Sequence, residues 1–105
     1  MKILPKNATI TQAQKYIKDL CEHHGWHKNS SLEIFLLFTE EVGELAKAIR
    51  YHEQLQTEKN KDQDLEGEFA DVLSYLMDLA NYYDIDLDKA LRDKQEANLD
   101  RKWNE

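Results

Sequence analysis

The sequence has few of the residues that bend or cross-link a chain: one proline, one cysteine and three glycines among 105 residues. So little proline and glycine argues against a turn-rich all-β fold. The lone Cys21 cannot form an intramolecular disulfide, so we expect a reducing compartment, the cytoplasm. No apolar run is long enough to span a membrane, and the start from Met1 to Pro5 does not resemble a signal peptide.

Basic residues are fewer than acidic residues. The chain has 14 Lys and Arg against 21 Asp and Glu, for a formal net charge of −7. Non-specific binding to DNA or RNA needs a basic face, and the sequence contains no basic cluster. A nucleic acid polymer is therefore disfavoured as a partner, whereas a small anionic ligand is compatible if metal ions neutralise it. At this length we expect residues 1–105 to form one domain with a small core.

Apolar residues recur at helical spacing through most of the chain, and no stretch alternates with the period of a strand. Thr9 with Gln12, and Ser30 with Glu33, have the spacing of capping boxes that begin helices. Residues 1–8 are predicted to be a loose lead-in. The predicted fold class is all-α, an antiparallel four-helix bundle. Its helices are expected from Thr9 to Gly25, Ser30 to about Leu55, about Leu65 to Tyr83, and Asp86 to near Trp103.

The second predicted helix carries carboxylates on its apolar side. On a helical wheel that starts with Ile34 at 0°, each successive residue is rotated by about 100°. Glu41 then falls inside the apolar arc and Glu44 at its edge, whereas Glu40 and Lys47 lie opposite. A carboxylate in an apolar stripe needs a cation or hydrogen-bond donors, because desolvation alone costs several kcal/mol. The arc contains Ile34, Leu37, Phe38, Val42, Leu45, Ala46, Ala48 and Ile49.

The third predicted helix carries a second acidic pair. Glu68 and Asp71 are three residues apart, so they project from one side of the helix. If the two helices are antiparallel neighbours, four carboxylates meet at one level of the bundle, and their repulsion raises some pKa values. Divalent cations would remove the repulsion, and all-oxygen ligands suit Mg²⁺ or Mn²⁺. The predicted core stripe of this helix is Leu65, Phe69, Val72, Leu73, Leu76, Leu79 and Ala80.

Other interpretations of the acidic pairs remain. Di-iron bundles use a Glu-x-x-His motif, which neither pair contains, so redox iron or zinc is disfavoured. One third of the chain is charged, so a single pair at this spacing is also typical of a solvated helix edge. Two such pairs on adjacent predicted helices favour a metal site.

Three segments together resemble the motifs of MazG-like nucleoside triphosphate pyrophosphohydrolases. The resemblance spans roughly residues 26–103, and the last helix carries Lys94, Asn98 and Arg101 at the family's spacing. The segments are 40–49 (EEVGELAKAI), 66–73 (EGEFADVL) and the tail that begins with 85–87 (IDL).

The resemblance implies an all-α, oligomeric enzyme that splits a nucleoside triphosphate between its α and β phosphates, giving monophosphate and pyrophosphate. Glu41, Glu44, Glu68 and Asp71 match the family's Mg²⁺ ligands, and Mn²⁺ is a plausible substitute. Glu40 stands beside them, either as the base for the attacking water or as a surface residue. Deoxynucleotides are the favoured substrates, and a house-cleaning role in the nucleotide pool would follow.

The last helix supplies the phosphate contacts that the resemblance implies. Lys94 and Arg101 match such contacts, and cationic donors suit a triphosphate; the alternative is a pair of surface cations. Asn98 matches a position near the sugar or phosphate. Lys47 is either another phosphate contact or a surface charge.

Two aromatic residues are candidates for contact with the nucleoside. Tyr75 resembles a position near the sugar, where a ring disfavours a 2′-hydroxyl, although core packing is nearly as well supported. Trp26 lies in the loop before the second helix, where it could stack on a base or pack in the core.

Apolar residues beyond the core stripes predict a homodimer or homotetramer. A rival from another class is a non-catalytic helical bundle that binds a protein partner. A second rival is a related hydrolase of dinucleotides or modified nucleotides. The residues expected on the exposed apolar surface are Phe35, Leu36, Leu76, Tyr82 and Tyr83.

Overall fold

The computed structural model describes residues 1–53 and 64–103, and the regular secondary structure of this part of the chain is all helical. The predicted all-α class is confirmed. The second helix ends at His52, and the predicted continuation to Leu55 lies outside the described residues. The helices are α1 (Ile10–His24), α2 (Ser31–His52), α3 (Leu65–Tyr82) and α4 (Leu87–Trp103), with a short 3-10 turn at Trp26–Lys28.

The turn between α1 and α2 is held at both ends. Gly25 ends α1 with a φ of 76°, a left-handed conformation that glycine adopts without strain, and its N–H donates to carbonyls of the last turn. Ser30 begins α2 in a capping box with Glu33, as the sequence predicts. The chain therefore positions Trp26 between two fixed points.

Helix α2 packs along α3, α1 packs against α3, and α4 packs mainly against α1. The first pair is antiparallel. Ser31 at the start of α2 and Tyr83 at the end of α3 line one hollow. Glu41 meets Asp71 at a level farther from these two helix ends. This antiparallel pairing brings the two acidic segments to the same level.

The buried core of the single chain is small. Its buried apolar residues are Cys21, Ile34, Ala48, Met77 and Ala80.

Part of the predicted α3 stripe lies outside this core. Phe69, Leu73 and Leu76 are 56%, 51% and 40% exposed, so their assignment to the core of one chain is wrong. The physical reason is that the apolar stripe of α3 is wider than the surface that α1 and α2 cover. The five residues expected on an exposed apolar surface, Phe35, Leu36, Leu76, Tyr82 and Tyr83, are all exposed. In the described residues, no helix combines the length and apolarity that crossing a membrane requires.

Candidate functional site

Three of the four predicted metal ligands meet between α2 and α3. Glu41 comes from α2, and Glu68 and Asp71 come from successive turns of α3. One carboxylate oxygen of each lies within 4.8 Å of the other two. The Glu-x-x-Asp spacing puts the α3 pair on one side of the helix, and the antiparallel packing supplies the third group.

Among the described residues, the three carboxylates have no counter-ion. Burial, followed by the charges of Asp71 and Glu68, raises the pKa of Glu41 above its ordinary value. The ion pairs that join two described residues lie elsewhere, between exposed residues four apart on α1 and α4. Glu68 Oε2 is buried and has no hydrogen-bond partner. In the described part of the chain, negative charge is therefore concentrated here without a compensating cation.

This donor set fits a divalent cation. Hard cations such as Mg²⁺ and Mn²⁺ take carboxylate oxygens as ligands, and three oxygens within 4.8 Å of one another are on the scale of one coordination shell. A cation would also satisfy the unpartnered oxygen of Glu68 and relieve the repulsion on Glu41. Glu41, Glu68 and Asp71 are the residues that would hold it.

The neighbouring charged residues of α2 lie outside the group of three carboxylates. Glu44 is exposed and lies outside the group of three, although its charge contributes to the raised pKa of Glu41. Glu40 is also exposed and acts on Glu41 in the same direction. Lys47 is half-buried.

A cavity of about 510 Å³ lies beside the carboxylates, between α1, the turn and α3. Asp71 lines it, so the cavity and the acidic group share a residue. Tyr75 and Asp78 follow on the same side of α3, and Trp26 and Asn29 contribute from the turn. The cavity thus joins the acidic group to an aromatic and polar recess.

The two predicted aromatic contacts both line this cavity. Trp26 is 50% exposed, and its ring stacks on that of His24 with centroids 4.4 Å apart. Burial, and then the charges of Glu41 and Asp71, raise the pKa of the Tyr75 hydroxyl. Tyr75 therefore lies close to Glu41 and Asp71, whereas Trp26 lines the cavity with half of its surface exposed to solvent.

One acidic residue of the cavity, Asp78, was not predicted from the sequence. The buried Cys21 lies beside its carboxylate. Burial raises the pKa of Asp78, while the neighbouring thiol lowers it; burial also raises the pKa of Cys21 to about 12. Its spacing could have predicted it, because Asp78 follows Asp71 by seven residues, two turns along the same helix face.

The structure does not bring the α4 residues to the cavity. Lys94 and Arg101 are exposed and Asn98 is half-buried. None of the three lines the cavity beside the carboxylates, because α4 packs mainly against α1. Within one chain, the predicted phosphate contacts are separate from the acidic group.

Comparison with known proteins matches residues 29–101 to the MazG nucleotide pyrophosphohydrolase domain. The chain belongs to this family. The match includes α2, α3 and nearly all of α4, and with them the acidic group. The match begins just before the cap of α2, so α1 and Trp26 lie outside the matched part.

Two relatives come from Bacillus subtilis (strain 168). The uncharacterised protein YvdC is 27% identical over 95 residues, which are 83% of this chain and 90% of YvdC. The uncharacterised protein YpjD is 41% identical over 63 residues, 58% of this chain and 57% of YpjD.

A solved structure has the same fold. The crystal structure of Bacillus subtilis YPJD, for which a pyrophosphatase activity has been suggested, superposes with a TM-score of 0.76 at 28% identity. The alignment covers 89% of this chain and 95% of that one. The MazG-like fold therefore extends over most of the chain, including α1.

Proposed function

We propose that this MazG domain is a Mg²⁺-dependent pyrophosphohydrolase that cleaves nucleoside triphosphates between the α and β phosphates. The observation that carries the proposal is the meeting of Glu41, Glu68 and Asp71 within 4.8 Å, with no Lys or Arg of the described residues paired to them. Membership of a nucleotide pyrophosphohydrolase family supports the reaction class. The products are a nucleoside monophosphate and pyrophosphate.

Mg²⁺ is the proposed metal, with Mn²⁺ as a substitute, because every candidate ligand is a carboxylate. When bound, the metal supplies charge neutralisation for the triphosphate and lowers the pKa of water. Glu44 is the fourth proposed ligand, since its charge already acts on Glu41. Glu40, exposed beside the group, is the candidate base that accepts the proton of the attacking water.

The cavity is proposed to hold the nucleoside. Tyr75 lies next to the acidic group, where its ring would pack on the sugar and disfavour a 2′-hydroxyl. Trp26, half-exposed on the other side of the cavity, offers an aromatic face to the base. These placements favour deoxynucleoside triphosphates, and a house-cleaning role in the cytoplasmic nucleotide pool follows from such a substrate.

The phosphates need cationic partners, and Lys47, Lys94 and Arg101 are the proposed ones, with Asn98 between the last two. Because α4 lies away from the cavity within one chain, we propose a homodimer or homotetramer in which a neighbouring copy completes the site. The exposed apolar residues of α2 and α3 support this assembly. A mass corresponding to one chain in gel filtration would contradict it.

The test is a panel of ribo- and deoxynucleoside triphosphates incubated with the protein and Mg²⁺, with all phosphate products resolved. We expect monophosphate and pyrophosphate, abolished by EDTA. Glu41→Gln should abolish turnover, whereas Glu96→Gln, a matched change on the exposed surface of α4, should not.

Other products would correct the proposal in defined ways. Diphosphate and phosphate would retain the metal site and overturn the bond assignment. Turnover of modified nucleotides alone would narrow the substrate class. Without turnover of any nucleotide, the enzyme proposal fails, and a protein-binding helical bundle becomes the better account of the exposed apolar surface.

A further inference from the structure

The cavity beside the carboxylates extends along one face of α3. Asp71 and Asp78 both line it, and seven residues of helix correspond to a rise of about 10 Å. Tyr75 lies between them. A volume of about 510 Å³ lies in the range of small-molecule sites. A nucleotide with its phosphates near Asp71 therefore has its base directed toward Asp78.

Asp78 has unused capacity to accept hydrogen bonds. The Cys21 thiol beside it is a weak donor that could occupy only one of the about four acceptor sites of the carboxylate. No Lys or Arg among the described residues forms an ion pair with it. Desolvating a carboxylate with so little compensation costs free energy. A ligand that donates hydrogen bonds would recover part of that cost.

We propose that Asp78 determines base specificity by accepting a hydrogen bond from an exocyclic amino group of the base. This inference rests on the proposed function. It predicts a preference for cytosine, adenine and guanine nucleotides over uracil, thymine and hypoxanthine nucleotides. The amino groups of the first set are donors that project from the ring, whereas cytosine's N4 amino group is replaced in uracil and thymine by the O4 acceptor. That carbonyl repels a carboxylate.

Two other residues that line the cavity have proposed roles beside Asp78. Cys21 also lines the cavity, and its thiol lies beside Asp78, where it would help to position the carboxylate. Asn29, on the turn across the cavity, offers an amide that can donate to a carbonyl of the base. The recess thus combines an acceptor for amino groups with a donor for carbonyls.

The experiment compares kcat/KM for matched pairs of substrates in the presence of Mg²⁺. The pairs are deoxycytidine against deoxyuridine triphosphate and deoxyadenosine against deoxyinosine triphosphate. Each pair differs at the amino position. We expect the wild-type protein to favour the amino-bearing member by about tenfold to a hundredfold, as a site built around a hydrogen bond does.

Substitutions then assign the preference to one residue. Asp78→Asn should bring each ratio close to one, because an amide both donates and accepts. Asp84→Asn, the same change at an exposed position outside the cavity, should leave the ratios unchanged. Cys21→Ala should lower the ratios, and Cys21→Ser, which keeps a donor, should restore them.

The outcomes separate this inference from the proposed function. Hydrolysis with ratios that Asp78→Asn does not change would overturn the role of Asp78 and leave the pyrophosphohydrolase intact. If Asp78→Asn does not fold, the wild-type ratios decide, and equal turnover within both pairs overturns the inference. Failure of the wild-type protein to hydrolyse any nucleotide removes the proposed function and the inference together.

Discussion

Gln14 and Asn81 exchange hydrogen bonds between the middle of α1 and the end of α3. Gln14 Nε2 donates to Asn81 Oδ1 at 3.0 Å, and Asn81 Nδ2 donates to the Gln14 carbonyl oxygen at 3.1 Å. The Gln14 amide also accepts from the Leu87 N–H and donates to the Ile85 carbonyl oxygen. One buried side chain therefore joins α1 to α3 and to the turn that begins α4.

We expect Gln14→Ala to destabilise the protein by about 1–3 kcal/mol, because it leaves partly buried partners of the amide without hydrogen bonds. In a domain of this size, each kcal/mol corresponds to a fall in Tm of about 4–8 °C. Thermal unfolding measures the change. Gln95→Ala, at an exposed position of α4, is the control and should have little effect. Equal Tm values for the two variants would show that the network contributes nothing.

Mg²⁺ should stabilise the protein, because the uncompensated carboxylates bind it in the folded chain. The free energy of unfolding should increase by about 2.7 kcal/mol at a Mg²⁺ concentration one hundred times the dissociation constant. Differential scanning fluorimetry with and without Mg²⁺ measures it, and Glu68→Gln should reduce it. A melting temperature that saturating Mg²⁺ and nucleotide leave unchanged would count against the metal site.

Glu41→Gln should raise the stability of the metal-free protein at neutral pH. The folded protein raises the pKa of Glu41, so ionisation of this group disfavours the folded state. That penalty is fully present above the folded pKa and disappears as the pH falls through it toward the unfolded value. The difference in Tm between variant and wild type should therefore shrink on acidification. A difference that is independent of pH would point to packing instead of charge.

Cys21 should make stability fall in alkali. Its pKa is about 12 in the folded protein against a reference value of 9.0, so the unfolded chain releases the thiol proton first. The contribution to stability is present below pH about 9 and is lost as the pH rises toward about 12. Chemical denaturation at increasing pH measures the slope, and Cys21→Ala should reduce it. Alkylation of the folded protein at pH about 8 should also be slow.

Gly43→Ala tests whether the outer face of α2 is covered in solution. Apart from its chain neighbours and the backbone of its own helix, a Cβ on Gly43 would meet no atom of the described residues within 4 Å. Alanine stabilises a helix interior by about 0.5–1 kcal/mol relative to glycine. A gain in Tm is expected if solvent surrounds this position. A loss of stability with a smaller mass in gel filtration would instead place another copy against Gly43.

The sequence predicted the helices well because their signals are local. Capping boxes at Thr9 and Ser30 and the left-handed Gly25 depend on residues within one turn of the helix end. The acidic group was predictable for a related reason. Glu41, Glu68 and Asp71 need only helical spacing and antiparallel packing to meet.

Other features depended on which helices become neighbours. Phe69 and Leu73 follow the apolar period of α3, yet they are exposed, because no helix of the described residues covers that side. Asp78 is acidic and lies within an apolar stretch, but its place beside Cys21 requires the packing of α1 on α3. The placement of Lys94 and Arg101 away from the cavity likewise follows from the packing of α4 on α1.

The two acidic residues of α3 that line the cavity have a consequence for how this fold can diversify. Residues 71 and 78 are separated by about 10 Å along the helix, and substitutions more than about 7–10 Å apart usually have additive effects. On the proposed function, mutations at the recess can therefore accumulate with little effect on the carboxylates proposed to hold the metal. One helix face would then let substrate choice evolve separately from the reaction.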